Sequence, residues 1–442
     1  VDTRNAVDGG DLLKNINGVN AIRRGGHGLD PVIRGQSDQR LNTFLDGAMV
    51  YGACSSKMDP ASTYANVNNY DSVTVIKGTQ SVLFGAGGPG GAVSFKRVTN
   101  PVTKPEFRLG QNFDSNAGAY TTSGNMIFPL SSKAYLRLNG SATNAGNYET
   151  GSGIKPLTEY STTDYTAILG TLLSDGSKLE FNYTNNRQDK VGYPGLNMDI
   201  VYSYTDMYTL KYHRVTPFGI FSTMNVELFN TDIDHLMDNV VLRGNTGNGV
   251  MANPTASDTY GGRMIGTIGS DIRAGIDYEH NTKDAEQNMV MSGMNVFMTY
   301  LWPGVETEKL GLFFEKDLNN ISYGLRYDQV ELDPTRAADD PGSGMMQKTA
   351  NEVYTADYDG TIVASKRDFD NISGFLRINK DYNHGESYIN FSINERAPDA
   401  NELFHAKNNS TAMMRHVGNP NLSSERHMTL EVGYEGMLMG NH

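Results

Sequence analysis

Two pairs of side chains in this sequence have the chemistry and the spacing to hold a soft metal ion. The first lies in Cys54-Ser55-Ser56-Lys57-Met58, which contains the only cysteine of the 442-residue chain. On a helix, positions four apart share a face, so a helical segment here would aim a thiol and a thioether the same way. The second pair is His235-Leu236-Met237. On an extended strand, residues two apart share a face, so His235 and Met237 would project together, on the side of Glu227 and opposite Val226 and Leu228. Thiolate and thioether suit Cu(I), and imidazole suits either oxidation state of copper. An S, S, N, S set disfavours Mg, Ca and ferric chelates. Taken singly, each motif also has an ordinary explanation: Cys54 as a small buried hydrophobe, Met58 as a gap filler, His235 as a polar loop residue. A solitary thiol forms no intrachain disulfide.

Methionine usage points the same way. Of the 20 methionines, Met251, Met264, Met289, Met291, Met294, Met298, Met345, Met346, Met413 and Met414 fall in stretches that read as loops. Thioethers there would pass Cu(I) inward by weak, reversible binding, or simply pack the rims. His405, His416 and His427 lie in or near one polar stretch, but their spacing fits no ligand template. With 37 Lys+Arg against 50 Asp+Glu, net −13, and no basic cluster, nucleic acid is excluded as the main partner. Acidic loops would instead concentrate cations near a mouth. The chain has no Gly-x-Ser-x-Gly, His-Glu-x-x-His or Gly-x-x-x-x-Gly-Lys, so the reading is not an enzyme.

The elements that must position these residues are strands. The length exceeds what one ordinary soluble core fills, and no run of about 18 apolar residues offers a transmembrane helix. A mean hydropathy of −0.45 is compatible with a membrane β-barrel, where only alternate residues face lipid. From about residue 105 the pattern has period two. Leu179, Phe181 and Tyr183 alternate with Glu180, Asn182 and Thr184, and Met428, Leu430, Val432 and Tyr434 with Thr429, Glu431, Gly433 and Glu435. The strands are long and their polar face is often charged, as in a water-filled lumen; a soluble sheet with one wet face is the alternative. Tight hairpins at Pro129–Ser132 and Ser174–Gly176 alternate with long polar loops at roughly 144–161, 188–199, 239–258, 281–306, 334–365 and 395–425. About fourteen stretches read as strands. Residues 1–100, with short apolar runs such as Ser72–Ile76 and Ala92–Phe95, read as a compact α/β unit.

Val32-Ile33-Arg34-Gly35, Arg40, Phe44-Leu45-Asp46-Gly47, the run Val73–Gly85 and Gly87-Gly88-Pro89-Gly90-Gly91-Ala92-Val93 together resemble the plug domain of TonB-dependent outer-membrane transporters. Asn394–Phe404 and Asn419–Glu425 resemble that family's late barrel segments. The resemblance implies a transmembrane β-barrel of about 22 antiparallel strands with an N-terminal α/β plug in its lumen. It divides the chain into a plug at 1–104 and a barrel at 105–442. No TonB box or signal segment is seen at Val1-Asp2-Thr3-Arg4, and the end at Gly440-Asn441-His442 lacks the aromatic last strand of such barrels. Further strands are therefore expected, because lipid does not tolerate open sheet edges.

Within that family the Cys-x-x-x-Met and His-x-Met motifs, with Tyr51-Gly52-Ala53 leading in and Asp59-Pro60 leading out, resemble the copper receptors of the OprC/NosA type. That resemblance implies a metal site of Cys54, Met58, His235 and Met237 between plug and barrel. It also implies copper as the transported ligand, Cu(I) favoured and Cu(II) allowed, imported from the Gram-negative cell outer membrane into the periplasm. The partners would be outer-membrane lipid and TonB with its inner-membrane motor, since the outer membrane has no ATP. A siderophore or other metal-chelate receptor is the alternative within transport. A surface adhesin or phage-docking protein is the alternative from another class, and the external loops could serve phage or bacteriocin besides.

Overall fold

The structure, a computed structural model, describes residues 6–246, 249–291, 294–344, 347–358, 360, 362–408 and 416–436. Its first hundred residues form a small mixed unit. Helix α1 (Gly9–Leu13) precedes the paired strands β1 (Val19–Ile22) and β2 (Asp30–Ile33). A four-stranded sheet follows, built from β3 (Leu41–Leu45), β4 (Ala48–Met49), β5 (Ser72–Lys77) and β6 (Gly91–Lys96), in the order β4-β3-β6-β5 with β3 and β6 parallel. The glycine-rich turn into β6 is needed for space. Gly91 has φ +126°, and a Cβ there would lie 1.9 Å from the carbonyl oxygen of Ile76.

The period-two pattern then builds fourteen strands, each antiparallel to its sequence neighbour. They are β7 (Glu106–Asp114), β8 (Ala119–Pro129), β9 (Ala134–Ala145), β10 (Tyr160–Leu172), β11 (Lys178–Val191), β12 (Asp199–Arg214) and β13 (Thr223–Asp238). The second half comprises β14 (Val250–Ile268), β15 (Ile272–Met291), β16 (Met294–Leu318), β17 (Ile321–Pro334), β18 (Arg367–Tyr382), β19 (Gly385–Arg396) and β20 (Glu425–Gly436). Strands β7 and β20 are the edges of this sheet. Two short helices, α2 (Ala350–Asp357) and α3 (Ala400–Phe404), sit in the long connections.

Side chains sort by the pleat. Leu169, Phe181, Leu210, Leu228, Leu312, Leu325, Leu376 and Phe391 are exposed on the outer face, with Tyr165, Tyr208, Tyr260, Tyr278 and Tyr327 among them. An outward apolar band with aromatic residues is the signature of a membrane-crossing barrel wall. No helix among the described residues is long and apolar enough to cross a membrane. On the inner face Arg137, Thr166, Asn182, Thr209, Arg326 and Asn390 are buried, covered by the first hundred residues.

The sequence reading needs three corrections. Much of 239–258 and nearly all of 281–306 is strand, in β14, β15 and β16. Beyond the lipid both faces of a strand meet water or protein, so the ladder continues although the alternation that reveals it stops. For the same reason Met251, Met264, Met289, Met291, Met294 and Met298 stand on strands rather than loops; Met345, Met346, Met413 and Met414 lie outside the described residues. Thirdly, Cys54–Met58 is a turn, not a helix.

The plug is packed onto the wall by apolar and ionic contacts. Leu13, Ile33, Leu45, Val93 and Phe95 share one buried cluster with Met207, Phe229 and Ile233 of β12 and β13. Asp46, 2 % exposed, accepts from the Arg97 backbone amide at 2.7 Å, pairs with the Arg97 guanidinium, and lies 3.4 Å from Lys211 Nζ of the barrel. Asp46→Ala would leave two cations inside the wall without their counter-charge, a loss of about 3–5 kcal/mol. The expected result is a plug whose amides around β3 and β6 exchange faster with solvent deuterium while the barrel ladder keeps its protection. Unchanged exchange in β3 and β6 would show that Asp46 does not hold the plug.

Candidate metal centre

The turn carrying Cys54 and Met58 is set by two features of its own sequence. Lys57 takes the left-handed conformation, φ 55°, and its amide donates to the Cys54 carbonyl at 2.8 Å. Asp59 then folds back under the turn. Its carboxylate accepts from the amides of Ala53 at 2.7 Å and Cys54 at 3.0 Å, and from the Tyr64 hydroxyl at 2.6 Å. The Met58 carbonyl accepts from the Tyr193 hydroxyl at 3.2 Å. The backbone of the turn is thus held at Ala53, Cys54, Lys57 and Met58.

His235 and Met237 come from the extracellular half of β13, taking the long connections as the external ones. They are inward positions of the strand, alternating with the outward Asp234 and Leu236. Opposite them on β12, a register shift between Ile200 and Tyr202 adjusts the wall where Met237 faces Ile200. The result is a convergence across the plug–barrel boundary. Cys54 Sγ lies 3.2 Å from Met237 Sδ, the thiol donating to the thioether. Cys54, Met58 and Met237, all nearly fully buried, share one cluster with Tyr160, Val191, Tyr193 and Ile200. His235 is fully buried, and neither ring nitrogen has a hydrogen-bond partner. Its Nδ1 is 4.0 Å from Asp59 Oδ2, the carboxylate that also grips the Cys54 amide.

A fully buried imidazole with two unmade hydrogen bonds is costly, and such a group in a native fold calls for an explanation. A bound ion would supply one. Burial, and after it the charge of Asp59, pushes the Cys54 thiol up to about 12. Cys54 is therefore held as a thiol, and a metal bound there displaces its proton. The donors are thioethers, one thiol and one imidazole. No group of three or more His, Cys, Asp or Glu arranged to hold a metal occurs among the described residues, so a hard, carboxylate-rich cage is not what this region offers.

Behind the turn lies a small cavity of about 50 Å³ between plug and barrel, lined by Cys54, Lys57, Asp59, Asp30, Lys283 and Trp302 among others. Sequence reasoning missed several residues of the region. Asp59 was visible only as part of the lead-out, and nothing in its local pattern shows that it reaches back to two amides. Met198, half-buried before β12, packs on the sulfur cluster, and no spacing rule connects it to Cys54. His405 lies elsewhere, with Nδ1 donating to the His416 carbonyl at 2.8 Å, and His427 pairs with Glu425.

A small mixed unit inside an antiparallel wall with an outward apolar band is an arrangement that comparison with known proteins also finds. Residues 1–92 match the family model of the TonB-dependent receptor plug domain. Plug and wall together resemble the TonB-dependent receptors. The solved structure it resembles most usefully here is that of the copper transporter OprC: 25% identity, 97% of this chain and 68% of that chain covered, TM-score 0.83. It is also similar to the Serratia marcescens hemophore receptor HasR, solved with its hemophore HasA and heme, at 20% identity over 98% of this chain and 67% of that one, TM-score 0.74. The siderophore receptor PirA from Acinetobacter baumannii follows the same course at 12% identity, covering 98% and 66%, TM-score 0.65. The last two likenesses are of fold. Among curated proteins none matches the sequence.

Proposed function

We propose that this receptor takes up copper at the outer membrane through a site built from Cys54, Met58, His235 and Met237. The observation that carries the reading is the approach of the plug's single thiol to a barrel thioether, 3.2 Å apart and shielded from solvent. Two sulfurs from different bodies, beside an imidazole with both nitrogens unpartnered, make a donor set that favours Cu(I) over hard cations. The likeness to a copper transporter at 25% identity supports the same choice.

In this reading external loops deliver the ion and Cys54 gives up its proton to bind it. Because plug and barrel each contribute donors, capture is coupled to the plug's position. TonB, driven from the inner membrane, moves the plug; separating Cys54 and Met58 from His235 and Met237 dismantles the site and releases the ion toward the periplasm. The same split gives the transporter a reason for placing its donors on two bodies: a site wholly on either would keep its ion when the other moved.

The test is metal analysis of the receptor purified under reducing conditions after exposure to equal copper, zinc and ferric siderophore. Copper retained in proportion to the chain, with little zinc or iron, is the expected result. Retention of the iron chelate, with copper no higher than on a barrel lacking the plug cysteine, would move the substrate to the chelates named for the structural relatives.

A further inference from the structure

The Cys54–Met58 turn is gripped from the barrel side by groups that the metal chemistry does not use. Lys57, between the two sulfur residues, reaches out of the plug to Asp399 Oδ2 at 2.8 Å and also pairs with Asp38 of the plug. Next to Asp399, Asn401 donates from Nδ2 to the Ser55 carbonyl at 2.9 Å and accepts from the buried Trp302 indole. Both residues belong to one element: Asp399 caps α3, accepting from the Glu402 amide at 2.8 Å, and Asn401 is in its first turn.

That element is itself fixed on both sides. Glu402 accepts from Arg396 of β19 at 2.9 Å and from Arg40 of the plug at 3.3 Å, and Glu425 accepts from the same two arginines at 2.7 Å. The α3 side chains Leu403 and Phe404 are fully buried, and the Phe404 carbonyl accepts from the Tyr354 hydroxyl at 2.6 Å. Lys57 meanwhile holds a left-handed backbone that lysine does not favour.

We infer that Asp399 and Asn401 are positioning residues of the metal site: a strap from the barrel's external connection that holds the plug's sulfur turn at binding distance from His235 and Met237. The inference rests on the copper reading above. Its physical basis is that donors on two bodies bind one ion only while the bodies keep their spacing, and groups that fix the orientation of ligands commonly govern affinity 10–100-fold. Here the α3 element contributes one ion pair and one side-chain-to-backbone hydrogen bond across the boundary, both made to the turn itself, beside the Tyr193 hydroxyl on the Met58 carbonyl.

Asp399→Asn separates this role from mere folding of α3, because asparagine caps a helix as well as aspartate does but removes the charge that ties Lys57 to the barrel, leaving it only Asp38 of the plug. The whole receptor in detergent is titrated with Cu(I) against bicinchoninate. Asp399→Asn, Asn401→Ala and Lys57→Met are each expected to weaken Cu(I) binding roughly 10–100-fold and to lower the sulfur coordination seen in the copper X-ray absorption spectrum. Lys57→Arg, which keeps the charge, should restore most of both. If wild type binds Cu(I) and the three variants match it in affinity and spectrum, the strap is overturned and the copper reading stands. If wild type takes no Cu(I), the copper reading falls and the strap falls with it.

Discussion

Cys54→Ser should leave the receptor folded and empty of copper. The exchange replaces a thiol by a hydroxyl in a site that is 3 % exposed, so the shape hardly changes. The hydroxyl loses a sulfur partner in Met237, and a buried, poorly satisfied hydroxyl costs about 1–3 kcal/mol. That is small beside a barrel ladder of fourteen strands. The effect on the metal is far larger. Serine is a hard donor with no readily formed anion, so the set loses its only negatively charged ligand and its best match to Cu(I). Changes outside the ligand sphere already cost 10–100-fold; removing this ligand should cost at least about 100-fold by the same scale. The measurement is copper per chain together with Cu(I) affinity, and heat-modified mobility in a gel reports that the barrel is intact. Copper retained at the wild-type level in a folded Cys54→Ser protein would place the binding elsewhere, with the methionines of β14 to β16 and Met198 as the first places to look.

Much of the fold could be read from the residues because the membrane imposes a rule on them. Where lipid touches the wall, as at Leu179, Phe181 and Tyr183, every second side chain must be apolar, and the strands announce themselves. About fourteen stretches read as strands, and the sheet formed by the described residues has fourteen. Where the lipid stops, the rule stops. Residues 281–306 carry Asp284, Glu286 and Gln287 and read as loop, yet the ladder of β15 and β16 runs through them, since backbone pairing needs no particular side chain once water covers both faces.

The candidate site was legible in kind, less so in geometry. His235 and Met237 project inward together, as the alternation requires. A helical Cys54–Met58 segment would put both sulfurs on one face; the segment is instead a turn with Lys57 in the left-handed region. The cause is Asp59, whose carboxylate collects the amides of Ala53 and Cys54 that would otherwise seek helical partners. Aspartate binding nearby backbone amides competes with helix by this route, but whether it does so at a given place depends also on packing against β12, which lies far away in sequence. The strap residues Asp399 and Asn401 were invisible for the same reason: they are separated from Lys57 and Ser55 by some three hundred and forty positions.

His235→Leu should move stability and copper binding in opposite directions. His235 is fully buried on β13 with both ring nitrogens unpartnered by protein groups among the described residues. Its cross-strand neighbours, Ser203 and Thr255, make no bond to the ring, and Asp59, the nearest charge, is 4.0 Å from Nδ1 and committed to other donors. An unmade buried hydrogen bond costs about 1–3 kcal/mol, and leucine is close to histidine in size, so removing the ring relieves that cost without opening a large cavity. The metal-free variant should therefore unfold later on heating, by about 1–2 kcal/mol at that site, and its β12–β13 amides should exchange more slowly. With Cu(I) the order reverses. The wild type gains the bond its imidazole lacks, whereas the variant has only sulfur donors left and should bind more weakly, by tens-fold or more on the scale of lost ligand interactions. A group that weakens the fold when the site is empty and repays the loss only when it is filled is held for the ligand, not for packing. A His235→Leu protein that is less stable without metal and binds Cu(I) as wild type does would reassign His235 to the structural core of the wall and leave the three sulfur atoms as the whole of the donor set.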